Sequence, residues 1–367
     1  MAVKSIEIVN VMIFQRQWRI NNTEHADSMV KEGDTISGGF QLNFCDGINV
    51  LIGENGVGKT TILKMIYAAA KQSLSASDKK GNAPLSQYFS NGLSNSNALR
   101  NISGYQDISY YKVSDGVHSF EEILSPKELF HDNGWKGLNI SSVFIPTTEM
   151  LSHAKGFLAL NEKYRMPFDE TQIDIIVNAS LPETREIPPL MRDILKKISD
   201  AIDGEVIVEK DSFFVEKKDG RKVEFSLEAE GLRKLGLLWK LIRNGLLEKG
   251  SILLWDEPEA NLNPELYPLV TEILLELQKN GVQIFLATHS YNFAKYLEIR
   301  RTKKEQVMFH NLYQDQYDIS DSLKDILPQI EGKPQIIFSQ SAYRMDEINY
   351  NHIMIADNKL LDEVYDL

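Results

Sequence analysis

Residues 53–61 read Gly53-Glu54-Asn55-Gly56-Val57-Gly58-Lys59-Thr60-Thr61, with glycines leading to one lysine and two hydroxyl side chains. The pattern is G-x-x-x-x-G-K-[ST], a spacing suited to a polyphosphate. Glycines let the backbone curl so that successive N–H groups converge on phosphate oxygens. Lys59 then supplies a point charge for the outer phosphates, and the Thr60 hydroxyl a ligand for Mg²⁺. The flanks fit this chemistry. Ile48–Ile52 is a continuous apolar run, as in a strand buried on both faces, and Thr60–Lys71 takes up helical spacing through Ile62, Leu63, Ile66 and Tyr67. Strand, glycine loop and helix together aim the partly positive end of a helix at the anion.

A second apolar run, Ile252–Trp255, ends in Asp256 and Glu257. Asp256 suits a Mg²⁺ ligand, often acting through water, and Glu257 a general base that polarises the attacking water. A third run, Phe285–Thr288, ends in His289, one helix further on, where an imidazole can meet the γ-phosphate and so tell ATP from ADP. A fourth segment, Ala229-Glu230-Gly231-Leu232-Arg233-Lys234, opens a helix with apolar positions at Leu232, Leu235, Leu238 and Ile242. A small-residue turn at a helix start is either another anion site or an ordinary cap.

These groups need a frame. Ser5–Phe14 alternates as an opening strand, and Phe40–Phe44 follows a polar stretch over Asn21–Gly39. Gln72–Leu99, rich in Ser, Asn, Gly and Lys, reads as a long surface excursion. Asp107–Val113 and Val117–Ile123 form a hairpin around Asp115–Gly116, and Ser142–Ile145 a short strand. Met150–Ala201 is helical with breaks at Pro167, Pro182 and Pro188–Pro189; a second hairpin, Ser212–Glu216 and Lys222–Phe225, turns at Asp219–Gly220. Residues 264–279 form a helix between the second and third apolar strands. The expected organisation is a nucleotide-binding lobe split over 1–72 and 226–310, a hairpin and helical lobe inserted at 73–225, and an acidic element at 311–367 packed on the head.

Composition narrows the class. An apolar share of 43% and a charged share of 25% allow a full core. The net charge of −12 argues against a surface that grips phosphates throughout. Residues 311–367 hold 11 acids against 4 bases, and short basic clusters stand elsewhere: Lys217, Lys218, Arg221 and Lys222; Arg233 and Lys234; Arg300, Arg301, Lys303 and Lys304. The first is read as a solvated hairpin tip, and the other two as candidate contacts for nucleic acid or a partner. Cys45 is a lone cysteine, which excludes a disulfide framework and a thiolate zinc site. The start, MAVKSIEIVN, has no signal-peptide core, and no apolar run nears the roughly 18 residues that cross a bilayer. The expected location is cytoplasmic, without direct membrane insertion.

Taken together, the four segments resemble the ABC ATPase superfamily, and within it the SMC-like and OLD-like branch of repair and anti-phage ATPases. Glu257-Pro258-Glu259-Ala260-Asn261-Leu262-Asn263-Pro264 is similar to that branch's Walker B and D-loop, with Asn263 where transporters carry Asp. Ala229–Lys234 resembles the signature loop, with Ala229 in place of the usual serine, and Glu149 in Ile145-Pro146-Thr147-Thr148-Glu149-Met150 falls where the Q-loop glutamine belongs. The resemblance implies an α/β fold, an ABC-type P-loop head whose mixed sheet has helices on both faces. It also implies a head-to-tail homodimer closed around ATP and Mg²⁺. Each nucleotide would touch Lys59, Thr60, Asp256, Glu257 and His289 of one subunit, and the signature residues Glu230, Gly231, Arg233 and Lys234 of the other. The leading expectation is an ATPase switching a separately encoded effector, a nuclease or a toxin, in repair or anti-phage defence, with nucleic acid as a further candidate partner. The alternatives are the ATPase subunit of a membrane transporter and, given Ala229, a weakly hydrolysing nucleotide-binding regulator.

Overall fold

The computed structural model describes residues 2–15, 19–21, 35–37, 39–74, 83–90, 93, 95–101, 108–125, 129–164, 166–303, 305–316 and 335–365. Asp107, Lys304, much of the polar stretch at 21–39 and parts of the 72–99 excursion and acidic C-terminal stretch lie outside them.

The central sheet has six strands in the order β16-β15-β5-β14-β13-β9. Its members are β5 (Ile48–Gly53), β9 (Ser142–Ile145), β13 (Ile252–Asp256), β14 (Gln283–Thr288), β15 (Val307–Gln316) and β16 (Gln335–Ala342). All neighbours are parallel except β15 and β16. Each of the central strands divides its side chains between two cores. Ile48, Val50, Ile52, Leu253, Trp255, Ile284 and Leu286 face one; Leu51, Ile252, Leu254, Phe285 and Ala287 face the other. That division is why these strands read as continuous apolar runs rather than alternating ones.

On one side lies α1 (Lys59–Gln72), with a five-stranded antiparallel sheet beyond it in the order β4-β1-β6-β7-β8. These strands are β1 (Ser5–Val9), β4 (Phe40–Asn43), β6 (Tyr110–Ser114), β7 (Ser119–Ile123) and β8 (Leu129–Asn133); β2 (Arg19–Asn21) and β3 (Thr35–Ser37) pair separately. Sheets on both sides explain why Ile62, Leu63, Met65, Ile66, Tyr67 and three successive alanines of α1 are all buried. The other side carries α3 (Glu170–Ala179), α4 (Pro189–Ile202), α5 (Glu230–Arg243), α6 (Tyr267–Lys279) and α7 (Tyr291–Arg300), with α2 (Phe157–Tyr164) before them and α8 (His352–Tyr365) last. A small sheet of β10 (Gly204–Glu209), β11 (Ser212–Lys217) and β12 (Lys222–Glu224) packs here through Val206, Phe213 and Val215.

Several expectations change. The opening strand stops at Val9 rather than Phe14, because Asn10 and Met12 both take left-handed backbone at φ 51°. The second hairpin gains a strand, β10, paired antiparallel to β11 through a turn at Lys210 and Asp211, φ 49° and 63°. Residues 73–225 are not spatially separate from the head. β6 pairs with β1, and β9 forms an edge of the central sheet beside β13. Likewise β15 runs past residue 310 as the parallel neighbour of β5, so the C-terminal segment is built into the sheet instead of lying on it.

Candidate nucleotide and metal site

The ends of β5, β13 and β14 meet at one rim of the central sheet. Gly53 turns the chain at φ 139°, and a Cβ there would lie 2.2 Å from the Leu312 carbonyl oxygen. Glycine is therefore required where β15 passes. Glu54, Asn55 and Gly56 are exposed, Val57 inserts into the core, and Gly58 leads at φ 91° into α1. Lys59 is folded back over the loop, its Nζ donating to the carbonyls of Gly53 and Glu54, both at 2.7 Å. Thr61 is buried, with its Oγ1 3.9 Å from Met12 Sδ. His352, at the start of α8, stands 3.5 Å from Glu54.

Asp256 is buried at the end of β13 and accepts from two hydroxyls. Thr60 Oγ1 lies 3.0 and 3.1 Å from its two oxygens, and Thr147 Oγ1 lies 3.1 Å from Oδ2. Glu257 follows in left-handed conformation at φ 48°, uncommon for a residue with a Cβ and costing about 1–3 kcal/mol. Its N–H donates to Ala287 O at 2.9 Å, and its carbonyl accepts from Lys234 Nζ at 3.1 Å. Its carboxylate is left half-exposed, 3.4 Å from His289 Nδ1. Glu259 is buried on the other side of this turn. One of its oxygens accepts from the Thr288 hydroxyl at 2.5 Å and from the His289 N–H at 3.3 Å, and lies 3.9 Å from His289 Nδ1. Sequence reasoning assigned neither Glu259 nor Thr147 to the site. A second carboxylate within the Asp256–Glu259 turn and a hydroxyl just past the end of a strand were the available signals.

Two of the signature residues, Arg233 and Lys234, are engaged within their own chain. Lys234 is buried against Glu257 of its own chain. Arg233 donates to Glu149 at 2.9 Å in a nearly buried pair. That bond, with the N–H groups of Leu151 and Ser152, occupies the Glu149 carboxylate, so Thr147 and not Glu149 reaches Asp256. Gly231 packs against the turn after β13, where a Cβ would meet Asn261 O at 2.9 Å. Glu230 is half-exposed and accepts from Asn261 Nδ2 at 2.8 Å. Among the basic clusters, Lys218, Arg221 and Lys222 form exposed ion pairs, as expected of a solvated hairpin tip, whereas Lys217 is held in a nearly buried pair with Glu228. Arg300 lies over the Tyr296 ring and Arg301 donates to Val307 O.

Residues 71–294 match the family described as "AAA domain, putative AbiEii toxin, Type IV TA system". The chain belongs to this family. The matched span begins inside α1 and holds Asp256, Glu257 and His289. The chain is 37% identical over 65 residues to the arginine transport ATP-binding protein of Haemophilus influenzae, covering 18% of this chain and 27% of that one. It is 31% identical over 111 residues to the L-cystine import ATP-binding protein of Bacillus subtilis, covering 26% and 40%. It thus spans less than half the length of these curated relatives. The structure of an SMC head bound to the C-terminal winged-helix domain of ScpA superposes with a TM-score of 0.51 at 13% identity, over 95% of this chain and all of that one. The fold is that of an SMC-like, ABC-class P-loop ATPase.

Electrostatics in this P-loop ATPase follow from burial. It lowers the pKa of Lys59, against the pull of Glu257, Asp256, Glu259 and Glu54, and lowers that of Lys234 against Glu259 and Glu230. Burial raises the pKa of Asp256, a rise the Thr60 and Thr147 hydroxyls oppose only in part, and also raises that of Glu259. Among the described residues no three His, Cys, Asp or Glu side chains gather into a metal cluster. The donor set fits Mg²⁺ all the same, since this ion is usually held by one or two carboxylates together with substrate phosphates and water. Nor is any helix among the described residues long and apolar enough to cross a membrane.

Proposed function

We propose that the chain is a Mg²⁺-dependent ATP hydrolase that closes in pairs around two nucleotides and switches a separately encoded effector. The observation that carries the hydrolase reading is the convergence of Lys59, Thr60, Asp256, Glu257 and His289 at one sheet rim. Lys59 and the loop N–H groups would bind the phosphates, and Thr60 and Asp256 would hold the cation. Bound there, Mg²⁺ offsets phosphate charge. Glu257, half-exposed and outside that hydroxyl cage, would take the proton of the attacking water. His289, beside it, would report on the γ-phosphate.

Pairing is supported by the start of α5, where exposed Ala229 and half-exposed Glu230 stand next to Asn261. Arg233 and Lys234, held within their own chain, would shape that surface rather than reach across it. The family's description, which names a toxin of a type IV system, supports a toxin as the effector; a nuclease in its place, a role in repair or anti-phage defence and a cytoplasmic location rest on the sequence resemblance. The local identity to transport ATP-binding proteins favours a second reading, the ATPase subunit of a transporter. Phosphate release by the purified chain, with and without Mg²⁺ and with and without DNA, tests the hydrolase. Absence of turnover under all these conditions would leave a nucleotide-binding regulator. Stable co-purification with a membrane protein would favour the transporter.

A further inference from the structure

We infer that Thr147 is a ligand of the divalent cation, completing with Thr60 and Asp256 a three-oxygen protein site. The inference rests on the metal-dependent reading above. β9 and β13 run parallel with Ile145 beside Trp255, which sets the residues after each strand at the same rim. Pro146 has no N–H for the ladder, so pairing ends there and the next residue is free to turn toward β13. Thr147, half-buried, places its Oγ1 3.1 Å from Asp256 Oδ2.

Thr60, the residue the glycine-loop motif assigns to the metal, stands in the same relation to Asp256, at 3.0 and 3.1 Å. Without a cation both hydroxyls donate to one buried carboxylate. Each also carries lone pairs, so a rotation of the O–H turns a donor toward Asp256 into a ligand for a cation drawn to it. The spacing is suitable. Mg²⁺ takes oxygens at about 2.1 Å in an octahedron, whose neighbouring corners are about 3.0 Å apart. Glu149, the other oxygen donor on this junction, is committed to Arg233 and to the Leu151 and Ser152 N–H groups.

The test is Thr147→Val, which removes the hydroxyl and keeps the shape, beside Thr147→Ser, which restores it, and Thr148→Val at the exposed neighbour. Mn²⁺ binding to the full chain with a non-hydrolysable ATP analogue is read by electron paramagnetic resonance. Fluorescent-nucleotide binding in EDTA is the metal-free control. Thr147→Val should weaken Mn²⁺ binding about tenfold or more and leave metal-free nucleotide binding unchanged. Thr147→Ser and Thr148→Val should match wild type. Equal Mn²⁺ affinity in wild type and Thr147→Val would overturn the assignment of Thr147 alone. A wild-type chain that binds nucleotide but no Mn²⁺ would overturn the metal-dependent reading, and this inference with it.

Discussion

Glutamine at position 257 changes one property of the site. The turn that carries Glu257 is held through its backbone, by the N–H to Ala287 O and the carbonyl to Lys234, and neither bond involves the side chain. Glu257→Gln therefore leaves the left-handed turn, Asp256, Lys59 and Thr60 in place. It also keeps an oxygen near His289 Nδ1, now 3.4 Å from Glu257 Oε1. What it loses is the capacity to accept a proton from water. A positioned general base contributes about 10²–10⁴-fold, so the barrier to hydrolysis should rise by about 3–5 kcal/mol. ATP and Mg²⁺ should still bind. If ATP bridges two heads, slow turnover leaves it in place, and binding confined to the pair draws the monomers together by mass action. Sedimentation of wild type and Glu257→Gln, with and without ATP and Mg²⁺, should show the variant dimeric with nucleotide and monomeric once nucleotide is removed. A variant that binds ATP, has lost turnover and stays monomeric at micromolar concentration would refute the nucleotide-bridged pair. Turnover at the wild-type rate would refute Glu257 as the base.

Lys59→Ala should weaken ATP binding by about 1.5–3 kcal/mol, the loss of a charge-assisted hydrogen bond, and stop hydrolysis; a nucleotide titration checks the first and phosphate release the second. Glu259→Gln should retain turnover within several-fold, because it keeps an acceptor for Thr288 and His289 where burial already disfavours charge; Glu259→Leu, which removes that acceptor, should slow turnover at least about tenfold, the rate worth of about 1.4 kcal/mol. Arg233→Met should cost about 3 kcal/mol by leaving Glu149 buried without its cation, and the Glu149→Met/Arg233→Met pair should recover most of it, as read from urea midpoints. His310, enclosed by Ser341 and Asn49, is pushed by burial from 6.5 to about 3. It is neutral in the folded chain while the unfolded chain takes up a proton below about pH 6.5, so its contribution is fully present above that pH and is lost as pH falls toward 3. His310→Gln should flatten that slope in urea melts between pH 6.5 and 4.

The parts legible in the sequence are those fixed by neighbours along the chain. A glycine loop between an apolar run and a helix declares itself within a short segment, and so do carboxylates at the end of a strand. What escaped depends on contacts between distant segments. Thr147 enters the site because β9 pairs with β13, a register that nothing near residue 147 announces. β10 was missed because Gly204–Glu209 follows a long helical stretch and has its partner in β11. The pairing of strands beyond residue 73 with the head is hidden for a related reason. Local composition separates the polar excursion from the head, yet the strands on its far side return to β1 and β13. Arg233 and Lys234 read as exposed basic residues on a helix start, because their acidic and carbonyl partners lie far away in sequence.

Three carboxylates stand within the turn Asp256–Glu259, and equal surroundings would give them equal chemistry. The fold makes the surroundings unequal. Asp256 is buried beneath two hydroxyls, a setting for an anion that receives a cation. Glu259 is buried with one oxygen committed to β14 and the other without a hydrogen-bond partner, a setting that raises its pKa and suits a positioning role. Glu257 alone of the three is left open to water, and the left-handed backbone at φ 48° is what turns it away from its neighbours. Lys234 braces that strained residue through its carbonyl, which ties the start of α5 to the acid that would activate water. The Ala229–Glu230 surface and the turn that carries Glu257 are thus fastened to each other within one chain.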